Sequence, residues 1–277
     1  MSTTTSTGLL PRAARQRTFI AGTILTLLVI LVAIFGPLFA PHGENQVVGP
    51  PFSGQNLLGT DYLGQDVLSR LLYGGRAILV ISLLGILLGM VLGILIGVVA
   101  AYAGGWWDEV IMRINDVTLA FPQILLALVV LTSVSQPKDW MIVLIVGLSH
   151  APRVARLARG VALGIVSRDF VISAEALGEK RTRVILAEVL PNMTAPLLAE
   201  AGLRLTYSIG VVASLGFLGF AADPGAANWG QMINENRLAM SSQAWAVLAP
   251  VLMIAIFTVG TNLMADGIAR LTQGGDR

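Results

Sequence analysis

Residues 77–103 form an apolar run without a single charged side chain, and such a run severely limits what the chain can become. About 20 consecutive apolar residues in a helix match the hydrocarbon thickness of a bilayer, whereas runs of roughly 10–14 suit a buried helix of a globular core. Residues 18–39, 110–134, 140–160, 194–220 and 244–268 are apolar runs as well. The sequence therefore predicts an all-α membrane protein with six transmembrane helices. Composition agrees, since 55% of the residues are hydrophobic and 12% charged, against about 25% charged in soluble domains. Cysteine is absent, which excludes disulfides and thiolate-bound metals. The histidines His42 and His150 are isolated, and no His or carboxylate cluster has metal-ligand spacing, so no bound metal is expected. Membrane lipid is the expected surrounding, and nothing points to nucleic acid.

The first run follows Arg12, Arg15 and Arg17 and ends at Pro37 and Pro41. A secretory signal has similar flanks but an apolar core of only about 7–15 residues, so residues 18–39 read as an uncleaved span. Orientation follows from the cations. With six spans, the leader, the link after span two, the segment from Arg153 to Arg183 and the tail share one side and hold thirteen Lys and Arg; the other side holds Arg70, Arg76, Lys138 and Arg237. The positive-inside rule then puts both termini and the 160–191 link in the cytoplasm. The resulting partition is a leader over 1–17, a first transmembrane helix over 18–39, an extracytoplasmic segment over 40–76, a core over 77–268 with a cytoplasmic loop over 160–191, and a tail over 269–277. A multi-pass protein of the cell (inner) membrane is expected.

Within the spans, Gly85, Gly89, Gly93 and Gly97 recur every fourth residue. That spacing lines one side of a helix and admits a close neighbour, either within the chain or on a second chain. Glu200 and Arg204 stand at i,i+4 in the favourable order; as ionised groups they should face the bundle interior or water. They read as a neutralised structural pair, or as a gate. Pro122 and Pro250 remove backbone donors inside spans three and six and predict kinks. Trp106, Trp107, Trp140 and Trp245 lie near span ends, where indole favours the interface; Trp229 lies in a loop. Leu63, Val67 and Leu71 suggest an amphipathic helix in residues 58–76 that lies on the membrane or packs onto the bundle.

The link over 160–191 is too long for a tight turn. Helical patterning runs through VISAEALG and again through RTRVILAEVL, with Gly178 between them and Pro191 after them. This predicts a helical hairpin whose apolar residues Phe170, Val171, Leu177, Val184, Ile185 and Val189 dock on the bundle or on another protein.

The stretch DFVISAEALGEKRTRVILAEVLPN, residues 169–192, resembles the cytoplasmic loop of binding-protein-dependent ABC importer permeases, with Ala174, Gly178, Leu190 and Pro191 in register. Ile172 and Ser173 stand where that family usually has Glu and Ala, and Glu175 is out of register. LGTDYLGQDVLSRLLYGGR, residues 58–76, resembles the segment before the second span in dipeptide and oligopeptide permeases of the C-subunit type, with Gln65 in place of the usual Arg. GGWWDEVIMRINDVTLAFPQILLAL (104–128) and ADPGAANWGQMINENR (222–237) resemble two further signatures. The resemblance covers nearly the whole chain after the leader.

It implies the type I permease fold. It also implies four kinds of partner: a second homologous permease subunit, two ATP-binding subunits, and an extracytoplasmic solute-binding protein. ATP and Mg would sit on the partner ATPases and no cofactor on this chain, which lacks the phosphate-cradling GxxxxGK[ST] sequence. Ala174, Glu175, Ala176, Leu177, Gly178, Ile185, Leu190 and Pro191 would carry the ATPase contact and make the hairpin a lever. Relatives of this type carry dipeptides, longer peptides, glutathione, nickel or metal chelates and some sugars. Two other readings compete: an ion-coupled secondary transporter, which would need ion-coupling residues at mid-depth, and a degenerate non-transporting assembly subunit, which the altered loop would suit. A membrane enzyme would need convergent catalytic groups, and none has recognisable spacing.

Overall fold

A computed structural model describes residues 17–220 and 225–273; the leader positions Arg12 and Arg15 and the tail residue Arg277 lie outside the described residues. The helices, in chain order, are α1 (Arg17–Phe35), α2 (Val67–Ala103), α3 (Gly105–Ala120), α4 (Gln123–Thr132), α5 (Asp139–Val166), α6 (Asp169–Ala176), α7 (Arg181–Val184), α8 (Leu190–Phe217), α9 (Trp229–Asn236) and α10 (Trp245–Gln273). Among the described residues the only β pairing is two isolated bridges, Val47 with Gln65 and Thr60 with Asp66. Five helical segments are long and apolar enough to cross a bilayer, and α3 with α4 makes a sixth crossing bent by 76°.

The centre of the bundle is the contact of α2 with α5. A methyl group built on Gly85 would lie 2.6 Å from Val146 Cγ1, one on Gly89 3.0 Å from the Gly147 carbonyl, one on Gly93 2.5 Å from Val154 Cβ, and one on Gly97 2.5 Å from the Ala155 carbonyl. The glycine column is thus filled by the backbone and small side chains of the same chain. Both helices advance in the same direction along it, so they are parallel. The chain between them must return across the layer, which is why α3 and α4 together count as one crossing. By contrast, α10 runs antiparallel to α1 and α8: Gly267 meets Phe19, Gly260 meets Thr26, and Gly202 meets Ala265.

Several boundaries differ from those read off hydropathy. The second span starts at Val67 rather than 77, because Asp66 caps it by accepting from Ser69 N at 2.9 Å. The charge of Arg70 is neutralised internally, so it does not mark the helix end. Residues 67–76 are consequently the first turns of α2, not a separate helix on the membrane surface. The third span is broken outright: Phe121 is extended at φ −83, ψ 126, as expected of a residue preceding proline, and a second helix starts after Pro122. Pro250 and also Pro152 and Pro196 lie inside continuous helices.

The expected end of the hairpin at Pro191 is corrected too. The backbone is one helical rod from Arg181 to Phe217, with a π turn over Ile185–Val189 in which the Leu190 N–H reaches the Ile185 carbonyl. A proline ring clashes with the carbonyl four residues before it. The wider π turn makes room for Pro191 without ending the helix.

Leucine at Gly93 should push α5 away from α2. Overpacking of this kind costs about 1–3 kcal/mol, and a lowered unfolding midpoint of the purified protein would register it.

Candidate functional site

Two regions hold the polar side chains that a lipid-embedded chain cannot place at random: a cap at the end where α2 begins, and a hairpin at the opposite, arginine-rich end.

The cap is built around Asp61, which is fully buried. One carboxylate oxygen accepts from Leu63 N at 2.9 Å and Gln65 N at 2.8 Å, and the other from Arg70 Nη1 at 2.5 Å. The same guanidinium reaches Glu235 on α9 at 3.1 Å, and Asn236 accepts from Tyr62 N at 3.1 Å. Thr60 donates to the Pro50 carbonyl and accepts from Ser53 N, both at 2.7 Å. Gly64 turns at φ +76 with its α-carbon against the Gly49 carbonyl, a place where no side chain fits. The Gly-Thr-Asp stretch is thus a folded clasp, which carries no periodicity and shows as a motif only. Burial, followed by the Glu235 carboxylate, holds the Tyr62 phenol above its ordinary range.

Helix α9 locks the clasp to the bundle. Asn228 caps it by accepting from Gly230 N. Trp229, 1% exposed, fills a notch over Gly74 and Gly75 and donates from Nε1 to the Leu71 carbonyl at 2.8 Å. Gly230 lies directly on the Ala213 carbonyl of α8. Trp229 is therefore a keystone of the core, whereas Trp106, Trp107, Trp140 and Trp245 are exposed near helix ends.

At the other end, α6 closes with paired bonds from Gly178 N to the Glu175 carbonyl (3.0 Å) and from Glu179 N to the Ala174 carbonyl (3.2 Å), with Gly178 at φ +81. This is the Schellman arrangement, which calls for a residue in the left-handed region and so selects glycine. The hairpin divides its apolar residues. Val171, Val184 and Val189 are buried with Val98, Ala158, Ala162, Ile165 and Met193 against the ends of α2 and α5. Phe170, Ile172, Leu177 and Leu186 face outward, Leu177 at 84% exposure. Glu175, Ala176, Gly178 and Pro191 are exposed, and Ala174, Ile185 and Leu190 half-buried.

Between these ends, Arg204 Nε donates to Glu200 at 2.7 Å on α8, with the guanidinium 5.1 Å from the Tyr207 ring centre. The polar contacts of α3 with α5 escaped the sequence: Asp108 takes a bidentate pair from Arg159 at 2.5 Å, Asp116 accepts from Arg156 at 2.6 Å, and Asn115 donates to the Pro152 carbonyl at 3.0 Å. The only available signal was the i,i+3 repeat Arg153, Arg156, Arg159 facing acids at positions 108 and 116. His150 is buried, and neither ring nitrogen is hydrogen-bonded.

A parallel pair of crossings, a broken crossing between them and an outward-facing hairpin define a multi-pass helical membrane protein. Comparison with known proteins gives the family. The profile of the binding-protein-dependent transport system inner membrane component matches residues 89–273, and that of the N-terminal transmembrane domain of oligopeptide transport permease C matches residues 11–71. The dipeptide transport system permease protein DppC of Alkalihalophilus pseudofirmus is 32% identical over 260 residues, covering 92% of this chain and 84% of that protein. DppC of Haemophilus influenzae is 33% identical, covering 92% and 89%. The glutathione transport system permease protein GsiD of Escherichia coli O157:H7 is 34% identical, covering 93% and 86%. A solved inward-facing structure of the MetNI methionine ABC transporter matches in fold with a TM-score of 0.57 at 17% identity, over 73% of this chain and 95% of that one. The chain belongs to the family of inner-membrane components of binding-protein-dependent transport systems. It is a membrane-spanning permease subunit of an ABC importer.

Arg70→Gln strands the Asp61 carboxylate and should cost about 3–5 kcal/mol, read as a lowered unfolding midpoint. For Glu200 and Arg204, either neutral replacement alone should destabilise more than both together, with a coupling of about 0.5–3 kcal/mol in a double-mutant cycle.

Proposed function

We propose that this permease forms half of a translocation pathway for peptides or similar small solutes, and that its hairpin passes the work of ATP hydrolysis into the membrane helices. The observation that carries this reading is the division of the hairpin: its valines are anchored on the ends of α2 and α5, while Leu177, Ile172 and Leu186 remain outside. Apolar side chains at that exposure on a rigidly capped turn suit a groove on another protein. An ATPase seated there would move α5 and the rod from Arg181 to Phe217 together.

The excess of Lys and Arg at this end favours the cytoplasm for the hairpin and for both termini. The cap then faces the extracytoplasmic side, where a solute-binding protein would deliver its load. Two ATP-binding subunits would hold ATP and Mg, and a second, homologous permease would supply the other half of the pathway. Peptide as the solute rests on the dipeptide and glutathione permeases among the relatives.

Gly178→Val is the test. A β-branched residue in the left-handed region is strained by about 1–2 kcal/mol or more, while open space around the glycine leaves folding and insertion intact. In proteoliposomes holding the whole importer, solute uptake should fall well below the parent's while ATP hydrolysis persists. Normal uptake by this variant would refute the lever.

A further inference from the structure

We infer that the cavity between the broken crossing α3–α4 and helices α2 and α5 binds the carboxylate of the transported solute, with Arg153 as its cation. This rests on the importer reading above and names the chemistry the pathway selects.

The cavity, about 510 Å³, is walled by apolar side chains such as Leu92, Ile111 and Leu126, and its polar groups are Asn115, Thr118, Gln123, Ser149 and Arg153. Arg153 is the third rung of the ladder between α3 and α5. The first two rungs are complete, Arg159 with Asp108 and Arg156 with Asp116. The helices are antiparallel here, and the contacts Arg159–Asp108 and Pro152–Asn115 place Arg153 opposite Ile114 and Asn115, neither of them an acid. Arg153 donates to the Ser149 carbonyl at 3.3 Å, and among the described residues no carboxylate pairs with it.

Depth makes this lone cation informative. Helix α5 has 28 residues, about 42 Å of helix against a nonpolar layer of about 30 Å. Arg153, which charge counting along the sequence groups with the cytoplasmic cations, is instead at the midpoint of this helix and stays inside the layer by roughly 9 Å or more wherever the helix spans it fully. An unpaired charge at such a depth faces water or an anion, not lipid. The Gln123 Nε2 group, buried and without a hydrogen-bond partner, brings an unused donor to the same cavity from α4. An arginine fork and an amide N–H group beside apolar walls fit a carboxylate on a short chain with apolar side groups.

The chain has no cysteine, so a single reporter can be introduced at Thr118→Cys, or at Ser149→Cys if the first variant fails to assemble. In the complete importer in nanodiscs, modification of this subunit by an anionic sulfonatoethyl thiosulfonate should be roughly 10-fold faster than by its cationic trimethylammonium counterpart, as expected of a cleft lined by one sign of charge. Adding Arg153→Gln should abolish the preference and Arg153→Lys should keep it. Acetyl-Ala-Ala should slow modification, and its C-terminal amide should not. An equal rate for both reagents, as when an acid of the second permease pairs with Arg153, would overturn the proposal. So would equal protection by acid and amide, or protection by added phosphatidylglycerol alone. Uptake by the parent importer, measured alongside, tests the permease reading separately.

Discussion

Lipid supplies no hydrophobic force between helices, so this bundle depends on one close fit, that of α2 against α5. Gly85, Gly89, Gly93 and Gly97 let the backbone of α5 approach to distances at which any side chain would clash, and dispersion contacts along the seam do the holding. The two helices run parallel, which forces the chain between them to recross the layer. It does so as a broken helix, because Pro122 drives Phe121 out of the helical region. From this one seam follow the position of the cavity beside α3 and α4 and the joint anchoring of the hairpin on the ends of α2 and α5.

Charge is handled by pairing rather than by exclusion. Arg70 is neutralised by Asp61 and Glu235, Arg159 by Asp108, Arg156 by Asp116 and Arg204 by Glu200. A buried pair such as Arg70 with Asp61 is weak evidence of net stability, but removing one partner leaves an uncompensated charge. These pairs tie segments far apart in the chain: the clasp to α9 through Arg70, and α3 to α5 through the ladder. Arg153 stands out because its rung lacks an acid.

The hairpin illustrates how local chemistry and tertiary packing divide the labour. Gly178 ends α6 through a cap that is local in sequence. What lies beyond is not local: the π turn absorbs Pro191, and the second half of the hairpin continues as the rod that crosses the membrane. The hairpin is therefore joined to α8 without an intervening loop.

Hydropathy and short-range spacing are enough to show that the chain is helical and membrane-spanning, roughly where its spans lie, that Gly178 ends a hairpin helix, and that Glu200 and Arg204 share a helix face. All of these depend on hydropathy or on spacing within a few residues, where helix geometry dictates the neighbours. Tertiary structure decided what periodicity cannot express: that the glycine column belongs to α5, that the second span begins at Val67 because Arg70 finds acids 9 and 165 residues away, that Trp229 is a keystone rather than a loop residue, and that Arg153 alone of its row has no acid. Each of these depends on which distant groups meet, and a hydropathy scale counts a paired arginine and an unpaired one alike.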